Sequence, residues 1–213
     1  MEAIKASLKL TQQQRDVLVG LLLGDGHIER PYRTPRARLK VEQSEKSQEY
    51  VEWLYAIFRE WIPGGIKKKS TFLPVTGKTY VKHYFTTYVH EAFLPYRSLF
   101  YCGKRKIVPR NIHELMTPVG VATWFMDDGS IKSHQSRGSI ISTHAFTEKE
   151  IRLLCAMLKK KFHLESWPRI QRDGVQIYIS GTSAETLQKL LEPYVIPCMG
   201  YKLPLRIRVN NSA

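Results

Sequence analysis

Two stretches of the chain, Leu18 to Gly26 and Val121 to Gly129, share one form: an apolar run that stops on aspartate followed at once by glycine. Both runs are apolar on nearly every side, which predicts helices buried all round rather than along one stripe. The ending is physically odd. A helix C-terminus already carries partial negative charge, so an acid there is disfavoured by a few tenths of a kcal/mol or more. Glycine just beyond it is expected to stop the helix by accepting the left-handed conformation. An acid set against the dipole, beside free carbonyls, makes sense where a cation sits. Two such ends point to two carboxylates, Asp25 and Asp128, gathered around divalent metal.

The flanking sequence repeats in the same order. Thr11 is the expected N-cap of the first helix, and Thr117-Pro118 starts its counterpart with proline in the first turn. A polar extended stretch follows each Asp-Gly. Ile28 to Val41, with alternation from Arg36 onward, predicts a hairpin, matched by Ser130 to Thr143. Next come Ser47 to Phe58, with Tyr50, Val51, Leu54, Ile57 and Phe58 on one face, and a helix opened by the capping box Thr147 to Glu150. Extended segments Thr79–Thr87 and Gly174–Ser180 precede closing helices at His90–Leu99 and Ser183–Tyr194. The order α-β-β-α-β-β-α occurs twice, with Lys104–Glu114 as the junction. It predicts an α+β fold of two halves, residues 1–110 and 111–213, related as a pseudo-twofold dimer within one chain. The period is too long for a solenoid. Gly20, Gly24, Ala122 and Thr123 offer small surfaces on which the two apolar helices can approach.

Charge narrows the function. The chain of 213 residues has 33 Lys and Arg against 19 Asp and Glu, a net charge of +14, and such a field favours polyanions, nucleic acid first among them. Three cysteines, Cys102, Cys155 and Cys198, are odd in number and lack CxxC spacing, so they predict free thiols rather than a disulfide framework. The histidines lack zinc-ligand spacing. No glycine-rich loop of Walker type supports nucleotide hydrolysis. Neither a signal peptide nor a membrane span is expected. The expectation is a soluble, intracellular protein, in an organelle or a bacterial or archaeal cytoplasm.

The paired motifs resemble those of the LAGLIDADG homing endonucleases, of the single-chain type with two motifs, from about Thr11 to about Leu205. The resemblance implies that the eighth residue of each motif, Asp25 and Asp128, is the catalytic acid and metal ligand. The backbone carbonyls of the seventh residues, Gly24 and Asp127, are implied as helpers at the metal, which is expected to be Mg2+ with Mn2+ able to substitute. Lys104 to Pro109 and Pro197 to Pro204 resemble segments in which a lysine reaches the active centre, which maps Lys106 and Lys202 onto that role. Glu45 is a weaker candidate for the water network.

The same resemblance implies two DNA-binding β-saddles in successive major grooves. Outward candidates in the first half are Arg33, Arg36, Arg38, Lys40, Lys82 and His83, with Lys67, Lys68 and Lys69 read as a phosphate-contacting loop. In the second half they are Lys132, Arg137, Arg169, Gln171, Arg172 and Gln176. Arginine and glutamine suit bidentate reading of guanine and adenine, whereas lysine more often contacts phosphate. Tyr50, Trp53, Trp61 and Tyr178 are expected in the core. The implied activity is a monomeric, site-specific double-strand DNA endonuclease leaving short 3′ overhangs on a long, imperfectly palindromic site. The alternative is a group I intron maturase whose partner is intron RNA.

Overall fold

The computed structural model describes residues 7–31, 34–133, 135–172 and 174–205. Helix α1 (Gln12–Leu23) begins at Thr11, whose side chain accepts the Gln14 N–H while the Gln14 side chain accepts the Thr11 N–H. Gln14 is itself buried, and it ties this corner to the rest of the half: its amide donates to the Ile57 carbonyl at 2.8 Å and accepts from the Trp61 indole at 3.1 Å. From Val17 to Leu23 every residue of α1 is buried. The first sheet follows, built from β1 (His27–Glu29), β2 (Arg38–Ser44), β3 (Lys67–Leu73) and β4 (Lys78–Thr86). Helix α2 (Gln48–Phe58) packs against β2 and β4.

Helix α3 (Leu94–Phe100) leads into a short hairpin of β5 (Tyr101–Cys102) and β6 (Arg105–Lys106), turned by Gly103 at φ 61°, where glycine is needed. The junction region is therefore partly ordered as this hairpin and as the single turn α4 (Ile112–Leu115). Helix α5 (Pro118–Asp128) is capped by Thr117 and runs straight into β7 (Gly129–Ser133). Strands β8 (Ser136–Ile141), β9 (Ser166–Gln171) and β10 (Gly174–Ile179) complete the second sheet, α6 (Glu148–Phe162) packs against β9 and β10, and α7 (Ala184–Leu191) closes the half. Thr147 and Glu150 form the expected capping box on α6.

The two sheets are antiparallel and ordered alike, β1-β2-β4-β3 and β7-β8-β10-β9. The sequence left β3 unassigned. Lys67–Lys69 are the start of that edge strand, paired with Tyr84, His83 and Lys82, rather than a loop. In each sheet one face is apolar and turned to the helices: Leu39, Val41 and Phe85 in the first, Ile141, Ile177 and Ile179 in the second are all buried. Helices α1 and α5 lie side by side between the two halves. Burial on that scale contributes roughly 1.5–3 kcal/mol per large apolar side chain.

Close approach at this seam depends on glycine. A Cβ on Gly20 would lie 2.3 Å from the Gly120 carbonyl oxygen and 2.8 Å from Thr123 Cβ. Gly120, which the repeat did not single out, is thus as much a part of the seam as Gly20. The two motif-ending glycines are also required by contact, not by handedness. Neither Gly26 nor Gly129 has positive φ, and Gly129 is extended at φ −78°, ψ 150°. A Cβ would stand 2.7 Å from Leu21 Cβ at Gly26 and 2.4 Å from Phe125 Cγ at Gly129. The expected left-handed stop is replaced by a chain that turns back tightly over the last helical turn.

Candidate active centre and nucleic-acid face

The motif ends deliver their acids differently. α1 stops at Leu23, with Gly24 donating back to Gly20, so Asp25 stands beyond the helix and is exposed. α5 carries on through Asp127 to Asp128, its last residue. Asp127 reaches across the seam to the first half. Its Oδ2 accepts the Asp25 N–H at 3.0 Å and its Oδ1 accepts the Gln43 side-chain amide at 3.2 Å, while the same amide reaches Asp25 Oδ2 at 2.9 Å. Gly24 makes room for this: a Cβ there would meet Asp127 Oδ2 at 2.3 Å. The buried Tyr50 hydroxyl lies against the Asp127 carboxylate and 3.4 Å from the Thr123 carbonyl.

This crowding of carboxylates disturbs their ionisation. Burial, then the charge of Asp25, pushes Asp128 up to about 7, with Lys106 and Lys202 opposing. Burial, then Asp25 and Asp128, holds Asp127 well above the usual carboxylate range. A cluster of carboxylates that two lysines offset only in part fits a divalent cation. Among the described residues no group of three or more His, Cys, Asp or Glu side chains forms a complete metal cage, and two aspartates with open positions suit a hard cation that keeps much of its water.

The two expected lysines converge here from different scaffolds, Lys106 from the β5–β6 hairpin and Lys202 from the 3-10 segment Pro197–Lys202. Lys106 Nζ donates to the Gly24 carbonyl at 2.5 Å; Lys202 Nζ donates to the Met126 carbonyl and, at 3.0 Å, to that of Asp127. The seventh-position carbonyls of both motifs thus each accept one ammonium donor, which leaves each a second lone pair. A cation at a helix C-terminus is favoured electrostatically. Burial pushes both lysines below their ordinary range, opposed by Asp127, Asp128 and Asp25. Glu45 is not at this centre: it pairs with Lys68 at 2.8 Å on the surface. Gln43, from the same end of β2, takes the place near the acids. Sequence gave no signal for it beyond its position in the strand.

Strand register sorts the expected DNA contacts. Opposite the helices, the first sheet presents Arg38, Lys40, Lys82, Lys67 and Lys69 on one face, with Arg36 exposed just before β2. Two acids not foreseen share that face. Glu29 pairs with Arg38 at 2.7 Å, and Glu42 with Lys40 at 3.0 Å and Lys82 at 2.8 Å. Such pairs add little stability but hold the cations extended over the face. Lys68 and His83 are register partners on the opposite side, and His83 is buried there, so neither belongs to the saddle surface. Arg33 lies outside the described residues.

In the second sheet Arg169, Gln171 and Gln176 share the outer face, Arg172 is exposed in the turn beyond β9, and Lys132 sits 5.4 Å over the Tyr178 ring. Arg137 departs from expectation, turning to the helix side to pair with Glu185 at 3.0 Å. So does Tyr178, which lies on the outer face against the exposed Trp167, ring centroids 4.9 Å apart. Gly138 leaves room beneath it, since a Cβ would stand 2.3 Å from the Tyr178 hydroxyl oxygen. Tyr50 and Trp61 are buried and Trp53 is half-buried, as expected of core residues. Among the described residues, no helix is long and apolar enough to cross a membrane.

Comparison with known proteins gives consistent results. The family model described as "LAGLIDADG DNA endonuclease family" matches residues 15–187. The chain is 27% identical to a cytochrome b mRNA maturase bI2 of Debaryomyces hansenii, over 95% of this chain and 78% of that protein. It is 28% identical to a probable intron-encoded endonuclease 1 of Wickerhamomyces canadensis, over 91% of this chain and 85% of that protein. The solved structure of the homing endonuclease I-WcaI bound to its DNA recognition sequence superposes with a TM-score of 0.91 at 25% identity, covering 97% of this chain and 92% of that one.

Proposed function

The chain belongs to the LAGLIDADG DNA endonuclease family, and from that premise we propose that it is a monomeric, magnesium-dependent homing endonuclease that cuts both strands of one long, asymmetric DNA site. The observation that carries this reading is the meeting of Asp25, Asp127 and Asp128 at the ends of two seam helices, with a lysine on each seventh-position carbonyl. One acid comes from each half, so each strand has its own centre, and short 3′ overhangs follow from a cut across the minor groove. The halves differ in sequence throughout, which favours an asymmetric target over a palindrome.

Asp25 and Asp128 would hold the cation. When bound, it supplies Lewis-acid polarisation of the scissile phosphate and a more acidic water. Gln43 fixes the Asp25 carboxylate by donating to Oδ2, and Asp127 fixes the Asp25 backbone from below. Lys106 and Lys202, already aimed at the motif ends, stabilise the charge that develops on the pentacoordinate phosphorus, or position the attacking water. The outer sheet faces bind the duplex, with lysines on phosphates and Arg38, Arg169, Gln171 and Gln176 able to reach base edges.

Selection of the preferred target from a randomised duplex library, followed by cleavage with wild type, Asp25→Asn and Asp128→Asn, tests the reading. Wild type should cut in magnesium and not in chelator, and both variants should bind without cutting. Double-strand cleavage by either variant would refute the assignment. The likeness to a maturase supports a second reading, intron RNA binding. Splicing assistance that survives in both variants, with no DNA cut by wild type, would establish that reading instead.

A further inference from the structure

His27 lies two residues beyond Asp25 on the outer face of β1, in register with Lys40, and is exposed. Its ring meets Tyr101 edge-on, centroids 5.4 Å apart at 87°, and its Nδ1 is 3.2 Å from the Tyr101 hydroxyl oxygen. Tyr101 is buried, and its oxygen already accepts the Ile28 backbone N–H at 2.9 Å. A buried hydroxyl proton left without an acceptor is unfavourable. Among the described residues the acceptor beside it is His27 Nδ1. The chain of bonds therefore runs from Ile28 N–H to Tyr101 Oη, and from Tyr101 O–H to His27 Nδ1. A neutral imidazole that accepts at Nδ1 carries its proton on Nε2. Arg97 lies 3.9 Å over the Tyr101 ring and helps to fix the tyrosine.

The second half has no equivalent. The residue two beyond Asp128 is Ser130, in register with Ile140 as His27 is with Lys40. Its side chain is too short to reach as far, and among the described residues no side chain holds it as Tyr101 holds His27. We infer that His27 is a strand-selective substrate-positioning residue, whose Tyr101-locked Nε2–H donates to a phosphodiester oxygen of the strand cut at the Asp25 end. Lys40 beside it supplies the charge that draws a phosphate to that spot, and the rigid imidazole supplies direction. The inference rests on the nuclease reading above and adds that the two strands are not handled alike.

Two measurements test it. The first needs no DNA: nitrogen-15 NMR of the imidazole should find the Nε2–H tautomer in wild type and a mixture in Tyr101→Phe. An Nδ1–H tautomer in wild type overturns the inference. The second is single-turnover cleavage of the selected target with each strand labelled separately, at saturating protein. His27→Ala should slow one strand about tenfold, as expected for losing one hydrogen bond to a charged group, and leave the other within about twofold. His27→Gln, which keeps a side-chain N–H, should recover most of the loss. Equal slowing of both strands, or an altered base preference without strand bias, overturns it while leaving the nuclease reading intact. Failure of wild type to cut any DNA removes that reading, and this inference with it.

Discussion

Replacing Asp128 by asparagine should stabilise the metal-free protein, by an amount that grows as pH rises from about 4 to about 7. The wild-type carboxyl is moved from an ordinary 3.8 to about 7, first by burial and then by the charge of Asp25. The folded state thus holds this proton more tightly than the unfolded chain does. Stability is then lost as pH rises through the interval from about 4 to about 7, and the whole penalty applies above it. At 1.36 kcal/mol per pKa unit the ceiling is about 4 kcal/mol. Because Asp128 is partly exposed, solvent screening brings the expected figure to about 2 kcal/mol. For a chain of this size that is a rise of about 4–8 °C in Tm. The assay is thermal unfolding of wild type and Asp128→Asn in chelator, at about pH 8 and about pH 4. The variant should melt higher at the upper pH, and the gap should shrink to a few tenths of a kcal/mol at the lower, where the unfolded chain also holds the proton much of the time. Millimolar magnesium at pH 8 should raise the wild type more than the variant. An equal gain at both pH values, or a variant that melts lower at pH 8, would refute the account of a charge held against burial and its neighbour.

Three other outcomes are expected. Gly20→Ala should cost at least about 3 kcal/mol, because the new Cβ meets backbone of the facing helix at 2.3 Å, whereas Gly65→Ala, with nothing within 4 Å, should melt like wild type; equal melting of the two would remove the close-seam argument. Lys106→Ala, which strips the Gly24 carbonyl of its donor, should slow cleavage by bound complex about a hundredfold while affinity changes little, and a pure loss of affinity would make Lys106 an anchor. Salt titration of DNA binding should separate the lysine triplet: Lys67→Ala and Lys69→Ala each lower the slope by about one phosphate contact, and Lys68→Ala, on the other face and paired with Glu45, leaves it unchanged.

The features legible in the sequence were those written in local periodicity and in the repeat. The seam helices with their caps at Thr11 and Thr117, the cap of α6 at Thr147 and the places of both acids could be read because each sits at a fixed point in a duplicated pattern, whereas Lys106 and Lys202 were reached through the family resemblance. What escaped depends on pairing across strands, which a single sequence does not display. Lys67–Lys69 look like a charged loop until β4 is seen beside them, and then alternation assigns Lys68 to one face and its neighbours to the other. The same rule turned His83 inward and Arg137 toward Glu185. A shift of one residue changes the face of every side chain, so composition cannot make that choice. Gln43 was missed because its role comes from reaching two acids that are distant in the chain. The motif-ending glycines were read correctly in place but not in cause, since their need for space only exists once the chain has folded back on Leu21 and Phe125.

The departure from symmetry at the seventh motif position follows from the same packing. Gly24 and Asp127 face each other across the seam, and the space holds one side chain, not two: any Cβ on Gly24 would enter the Asp127 carboxylate. The first half gives up its side chain, and the second buries an acid that grips the Asp25 backbone and the Gln43 amide. Orientation of the Asp25 centre is therefore set by a residue of the other half. A chain built from two copies of the first half would have glycine on both sides and no such grip. One built from two copies of the second would force two acids into the space of one. The halves are alike in fold yet not interchangeable, because each fills a space the other leaves.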